Sequence, residues 1–258
     1  MVREYLWRAA SLLTLGLLPF IFAISAVAAD VKGSFKRTLK VTGPVDIELS
    51  SGSGDVTVRR SEEGIVRIKA IFAVPSPPGG VAADTDEAIR DLQSHPPVRQ
   101  DGNHILVGDV AGQESPIHAS IDYEMEVPIE TRFQGKSGSG DLTIEGIRGP
   151  ITLKAESGDI RLDSIERGVE AQTESGEVRL SGAGPAAVKI KAESGDVSIQ
   201  LGTQGGSDLN FQTASGDILI APQLEVKGEV SEKQVRGKVR GGGPPIEVST
   251  QSGDIRLR

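Results

Sequence analysis

A four-residue unit, Ser-Gly-acid-aliphatic, occurs seven times in this 258-residue chain. The copies are Ser53-Gly54-Asp55, Ser139-Gly140-Asp141, Ser157-Gly158-Asp159, Ser175-Gly176-Glu177, Ser194-Gly195-Asp196, Ser215-Gly216-Asp217 and Ser252-Gly253-Asp254, each followed by Val, Leu or Ile. From Ser139 to Ser215 the successive serines stand 18, 18, 19 and 21 residues apart. A period near twenty marks a repeat architecture. A repeated unit is first a scaffold, and a site only where something departs from the repeat.

Each unit reads as two short strands around a glycine turn. Ile151 to Glu156 alternates apolar and polar, Ser157-Gly158-Asp159 turns the chain, and Ile160-Arg161-Leu162 alternates again before a turn through Gly168. The inward positions are Ile151, Leu153, Ala155, Ile160 and Leu162, then Val169, Ala171, Val178 and Leu180. Val188, Ile190, Ala192, Val197, Ile199, Leu209, Phe211, Ile218 and Ile220 continue the series. One unit cannot bury two apolar strands alone. Stacked in register, the tetrads form a column with the strand spacing of about 4.8 Å, so Ser139 to Ser252 makes about six rungs. The reading is all-β: a parallel β-solenoid of two-strand repeats of 18–21 residues, with successive units lying on one another. The alternative is an antiparallel sandwich in which each tetrad is a hairpin turn. The wide gap from Ser215 to Ser252 is close to two periods, and Arg236-Gly237-Lys238-Val239 fits a degenerate eighth corner within it.

The tetrad has a structural explanation. Gly adopts a bend that a residue with Cβ resists, and Ser and Asp bond nearby backbone groups. A chemical explanation competes with it. Stacked Asp141, Asp159, Glu177, Asp196 and Asp217 would form a row of oxygen ligands suited to calcium. One acid per turn and nearby Lys154, Arg161, Arg179 and Lys191 favour the turn over the metal.

The rest of the chain frames the repeats. Arg3 and Arg8, the apolar run Ala9 to Ile24 and the small residues Ala26-Val27-Ala28 read as a secretory signal peptide over 1–29. Its removal takes the one Trp, Trp7, and leaves no transmembrane segment. Residues 30–135 read as an N-terminal β region capping the solenoid, and 136–258 as the repeat solenoid, together one elongated domain. Within the cap, Pro75 to Gly80 is a loop. Asp84 and Glu87 resemble an N-cap pair, and Ala88, Ile89 and Leu92 form the stripe of one short helix ending before Pro96-Pro97. Ile117 to Val127 is a strand with Tyr123, Met125 and Val127 on one face. His95, His104 and His118 are too widely spaced for a ligand cluster, and no nucleophile elbow or isolated carboxylate pair appears. With no Cys and a net charge of -8, disulfides, thiolate metal sites and nucleic-acid binding are disfavoured.

The tetrads, the segment Tyr123-Glu124-Met125-Glu126-Val127-Pro128 just before the main run, and Gly241-Gly242-Gly243-Pro244-Pro245-Ile246 before the last tetrad together resemble a known family. It is the bacterial "putative adhesin" family of β-strand-repeat proteins, a domain family of unknown function. The resemblance spans roughly 40–258 and implies a solenoid-like β fold, an envelope or extracellular location and no catalytic residues. The resulting expectation is a non-catalytic exported protein of the periplasm or cell surface without a cofactor. It would act as a structural or adhesin-like scaffold for an unknown envelope protein or glycan, as a monomer or in weak end-to-end association, with charged Arg256 and Arg258 limiting pairing at the end strand. The alternatives are a β-helix enzyme acting on polysaccharide and a calcium-binding repeat solenoid.

Overall fold

A computed structural model describes residues 31–258 apart from 63, 75–81, 110–118, 184–185 and 204. The expected leader, the Pro75 to Gly80 loop and His118 lie outside the described residues. The N-terminal part contains β1 (Val31–Lys40), β2 (Val45–Ser53), β3 (Val56–Arg60), β4 (Ile65–Val74), α1 (Ala82–Ser94), β5 (Val98–Asp101), β6 (His104–Gly108) and β7 (Ser120–Val127). Paired strands follow on either side of each tetrad: β8 (Thr131–Ser139) with β9 (Leu142–Glu145), β10 (Ile151–Ser157) with β11 (Ile160–Asp163), and β12 (Val169–Ser175) with β13 (Val178–Ala183). Then come β14 (Val188–Ser194) with β15 (Val197–Leu201), and β16 (Ser207–Ser215) with β17 (Ile218–Ile220). The hairpin β18 (Val226–Val230) and β19 (Gln234–Val239) precedes the last pair, β20 (Pro245–Ser252) with β21 (Ile255–Leu257).

These strands build two sheets that meet along the tetrads. The first runs β1-β4-β7-β3-β9-β11-β13-β15-β21-β17, and the second β18-β19-β16-β20-β14-β12-β10-β8-β2-β6-β5. All seven tetrad-bearing units pair in parallel, with serine opposite serine from Ser53 and Ser139 onward. The fold is therefore a β-solenoid and not a sandwich of hairpins. Six steps between seven corners give a column about 29 Å long at the strand spacing.

Two expectations about order fail. The last tetrad does not sit at the end of the stack. β20 pairs with β14 on one side and β16 on the other, and β21 lies between β15 and β17. The corner order is therefore Ser53, Ser139, Ser157, Ser175, Ser194, Ser252, Ser215. Arg256 consequently belongs to an interior strand and does not guard an edge. Nor is Arg236 to Val239 an eighth corner. It lies inside β19, which is antiparallel to both β16 and β18. Gly237 serves close strand approach there: a Cβ would lie 2.7 Å from Val226 and 2.8 Å from the Lys227 carbonyl oxygen.

The core is a set of aliphatic files running through the stack. Leu49, Leu153, Ala171, Ile190, Val248, Phe211 and Val235 form one file in register and are all buried. Gly135 sits in the same file, and the Phe133 and Leu153 side chains occupy the space its side chain would need. The inward set expected from alternation is buried except for Ile220, which is partly buried on the terminal strand β17. Each fully buried branched side chain contributes about 1.5–3 kcal/mol. At the other end α1 packs on β1 and β4 through Ile89 and Leu92, beside the Phe35–Phe72 ring pair at 6.3 Å. The helix begins at Ala82, so Asp84 lies in its first turn and is not its cap.

Candidate functional site

The corners are the first place to look for chemistry. Each corner glycine donates its N–H to the serine carbonyl of the next rung: Gly140 to Ser157 at 3.1 Å, Gly158 to Ser175 at 3.0 Å, Gly195 to Ser252 at 2.9 Å. The aliphatic residue after the acid donates likewise, Ile160 to the Glu177 carbonyl at 2.9 Å. The acid's own N–H points the other way and finds no backbone acceptor. The carboxylate of the preceding rung supplies one. Asp141 N–H donates to Asp55 Oδ1, Asp159 N–H to Asp141 Oδ1, Glu177 N–H to Asp159 Oδ1, Asp254 N–H to Asp196 Oδ1 and Asp217 N–H to Asp254 Oδ1, each at 2.9 Å. The carboxyl thus does for one rung what a carbonyl does elsewhere in a sheet.

The ladder begins one layer earlier than the tetrads. Asp55 N–H donates to Asp122 Oδ1 at 2.9 Å, and Tyr123 N–H to the Asp55 carbonyl at 2.8 Å. Asp122 and Tyr123 thus take the acid and aliphatic positions of a corner that lacks Ser-Gly. The sequence signal was present only as a polar residue before an inward one on β7. The ladder is interrupted at Glu177, whose longer side chain accepts from Arg179 instead of meeting Asp196 N–H.

The acids considered for calcium are engaged by cations of the chain. Arg161 bridges Asp141 and Asp159, Arg179 holds Glu177, Arg256 bridges Asp196 and Asp254, and Lys233 reaches Asp217 at 3.0 Å. Burial pushes the Asp141 carboxyl up. The hydrogen bonds from Arg161 and the Asp159 N–H, with the charges of Arg161 and Arg179, outweigh that and hold it below its ordinary value. Asp196 is held low by the hydrogen bond from Arg256 and then that from the Asp254 N–H. Among the described residues no group of three or more His, Cys, Asp or Glu side chains is placed to hold a metal ion.

The two outer faces differ. On the first sheet the charges pair across strands, with Lys69–Glu124 at 2.9 Å, Arg67–Glu126 at 3.1 Å and Arg59–Glu145 at 2.9 Å. On the second sheet Glu170 pairs with Lys189 at 3.6 Å and Asp208 with Lys238 at 3.9 Å, and other charges are sorted into files along the stack. Lys136, Lys154, Gln172 and Lys191 are successive register partners. Two residues further along each strand, Glu156, Glu174 and Glu193 form a parallel acidic file. No side chain of these three Lys and three Glu makes an ion pair or hydrogen bond with another described residue. Like charges in register cost stability in a sheet. The same face carries three hollows, of about 620, 340 and 290 Å³, along these files.

A fourth hollow, of about 320 Å³, lies where the tetrad column stops, beside Tyr123. Burial, with the Asp109 charge, pushes the Tyr123 phenol far above its ordinary value, and its hydroxyl has no hydrogen-bond partner among the described residues. The two described histidines are elsewhere: His95 meets Asp91 at 3.0 Å and His104 meets Glu48 at 3.2 Å.

Two facing sheets joined by a column of glycine corners define a β-solenoid of the repeat class. The chain belongs to the Toastrack DUF4097 family, which it matches over residues 22–258. Among solved structures it is similar to a "putative cell adhesion protein" from Clostridium sporogenes, at 14% identity and a TM-score of 0.53, over 86% of this chain and 97% of that one. It also matches a "putative adhesin" from Bacteroides fragilis at 16% identity and a TM-score of 0.41, over 87% and 97% of the two chains. The first likeness bears on the fold. A comparison with curated proteins finds no match.

Proposed function

We propose that the protein is an exported, non-catalytic scaffold of the cell envelope or cell surface that binds an extended partner along the outer face of the second sheet. The carrying observation is the contrast between the faces. Strands β3, β4, β7 and β9 of the first sheet pair their charges across strands. The second sheet pairs Glu170 with Lys189 but leaves the side chains of a lysine file and a glutamate file without an ion pair among the described residues, beside three hollows. Charged files that the fold does not use offer complementarity to a partner and set its register. The adhesion names of the similar structures agree with this reading. The sequence features of residues 1–29 support export, and no helix among the described residues is long and apolar enough to cross a membrane.

The test is capture of components from an envelope extract by the purified protein, compared with a Lys154→Glu/Lys191→Glu variant and with a Thr143→Ala control on the first sheet. The expected result is several-fold loss with the lysine reversals and none with the control. Equal capture by all three proteins rejects the face. Release of reducing ends from polysaccharide by the purified protein rejects the non-catalytic reading.

A further inference from the structure

The second sheet ends in an open edge at β18. Among the described residues β18 has one strand neighbour, β19, and Lys227 to Val230 are exposed. The first sheet does not extend to this edge. Its last strand, β17, lies level with β16 and stops two strands short of β18. An open edge is a template for another strand, and monomeric proteins blunt it with proline, a bulge or lysine. β18 has no proline and no register shift against β19. Its lysine discourages pairing unless an acid stands opposite, and sequence symmetry puts one there. Val226-Lys227-Gly228-Glu229-Val230 is complementary to itself when run antiparallel about Gly228. Valine then faces valine, Lys227 faces Glu229, and Gly228 faces its own copy.

The backbone has the matching phase. The β18–β19 turn closes with the Ser231 N–H donating to the Gln234 carbonyl at 2.9 Å. Bonded and non-bonded pairs alternate in an antiparallel ladder. Glu229–Arg236 and Lys227–Lys238 are therefore bonded pairs, and the N–H and C=O groups of Val226, Gly228 and Val230 point away from β19. The far side of β19 agrees: there Lys233 is the residue that bonds β16, its carbonyl accepting from Thr213 at 3.1 Å. A two-fold axis at Gly228 sets these three outward residues against the same three of a second copy, for a ladder of about six bonds.

The side chains agree with the backbone. Val235 and Val239, opposite Val230 and Val226, are buried, so the valines of β18 face the core side and its charges face outward. Val230 is 53% exposed, and Val226 of a second copy would cover it. On the outer face Lys227 stands opposite Lys238, a like-charge pair, and Lys238 has Asp208 on its other side at 3.9 Å. Neither Lys227 nor Glu229 forms an ion pair among the described residues. Glu229 of a second copy, arriving on the open side of Lys227, relieves that repulsion.

We propose that two copies of this chain join edge to edge through β18 about a two-fold axis at Gly228, so that their second sheets run on as one. Such an interface uses the same patch on both copies and closes at two. The opposite edge of the sheet is a poorer template. There β5 follows Pro96-Pro97, and the Val98 N–H already donates to the Pro96 carbonyl at 2.7 Å. The inference does not rest on the binding-face reading; it sets two such faces in one sheet.

Sedimentation equilibrium of the purified protein measures the association, with Kd expected on the order of 0.1 mM for so short a ladder. Lys227→Glu sets Glu opposite Glu in both charge pairs, and Glu229→Lys sets Lys opposite Lys. Each variant alone should dimerise about tenfold more weakly with Tm unchanged. An equimolar mixture of the two restores opposite charges in both pairs and should dimerise as the parent does. The double variant Lys227→Glu/Glu229→Lys should do the same. The chain has no cysteine, so Lys227→Cys mixed with Glu229→Cys reports the register. These positions form a non-bonded pair with Cα atoms about 4.5 Å apart, within disulfide reach. The mixture should cross-link on mild oxidation, and neither variant should do so alone. A monomer at about 1 mM, ten times the expected Kd, overturns the proposal. So does association that neither charge reversal weakens, or weakening that the mixture does not rescue. Growth beyond two copies overturns the two-fold closure in favour of head-to-tail stacking.

Discussion

The carboxylate of Asp159 accepts the backbone N–H of Glu177, one rung above it, at 2.9 Å. That bond explains why an acid recurs at the corner. The amide that faces the preceding rung has no carbonyl opposite it, and the preceding side chain supplies the oxygen. The other Asp159 oxygen receives Arg161 at 2.8 Å. Asp159→Ala removes both partners and is expected to cost about 2 kcal/mol. Asp159→Asn keeps an acceptor for the amide and should cost about half as much. Urea unfolding of the two variants separates the roles. Equal losses would mean that the arginine, and not the amide, is what the carboxyl serves.

The glycine column is a matter of distance. At Gly176, with φ +149°, a Cβ would stand 2.1 Å from the Gly158 carbonyl oxygen, a backbone atom that cannot swing away. Gly176→Ala is expected to destabilise by about 3 kcal/mol or more. Gly52, whose Cβ would meet nothing within 4 Å, should accept Ala with little change. Thermal melts of both proteins check the contrast.

Stability should fall at both ends of the pH range for different reasons. The folded Asp141 and Asp196 carboxyls are held below the ordinary 3.8, so their stabilising effect is present above that value and fades as pH falls through the folded values. Both groups are partly exposed, so the effect should weaken with added salt. Tyr123 is raised above the ordinary 10.0. Above that pH the unfolded phenol ionises while the folded one stays neutral, so unfolding becomes easier as pH rises. Tyr123→Phe should flatten the alkaline limb alone in denaturation series run from pH 2 to about 12, near and beyond the ordinary phenol value.

Truncation after Gly243 should be far more damaging than the loss of a terminal strand. The missing β20 and β21 separate β14 from β16 and β15 from β17. Without them β16 to β19 lose their attachment to the stack, and β14 and β15 become open edges that invite association. Limited proteolysis should clip the truncated protein in 205–243, and scattering should show aggregation. A compact monomer would contradict the stacking order.

Much of the fold was legible because its determinants are local. Alternation in Ile151-Thr152-Leu153-Lys154-Ala155 fixes which side chains face inward, and the glycine in each tetrad marks the bend. The stripe of Ile89 and Leu92 located the helix, although not its first residue. Other features were hidden. Asp122 has the role of a corner acid without the Ser-Gly that announces one. Gly237 resembled a corner glycine while spacing two antiparallel strands. The sorted files of Lys136, Lys154 and Lys191 and of Glu156, Glu174 and Glu193 emerge only when rungs lie in register.

The sequence by itself determined that the corners stack, since the recurring glycine bend sets a serine carbonyl, a glycine amide and an acid where the next tetrad can bond them. It did not determine which corner stacks on which. Ser252 satisfies the Gly195 amide as well as Ser215 would, because the corners present the same backbone groups. Tertiary structure made that choice. The long connection from Ser215 to Ser252, folded as the β18–β19 hairpin against β16, returns the chain to the open side of β14. It likewise set the buried Tyr123 hydroxyl beside a hollow at the place where the corner column ends.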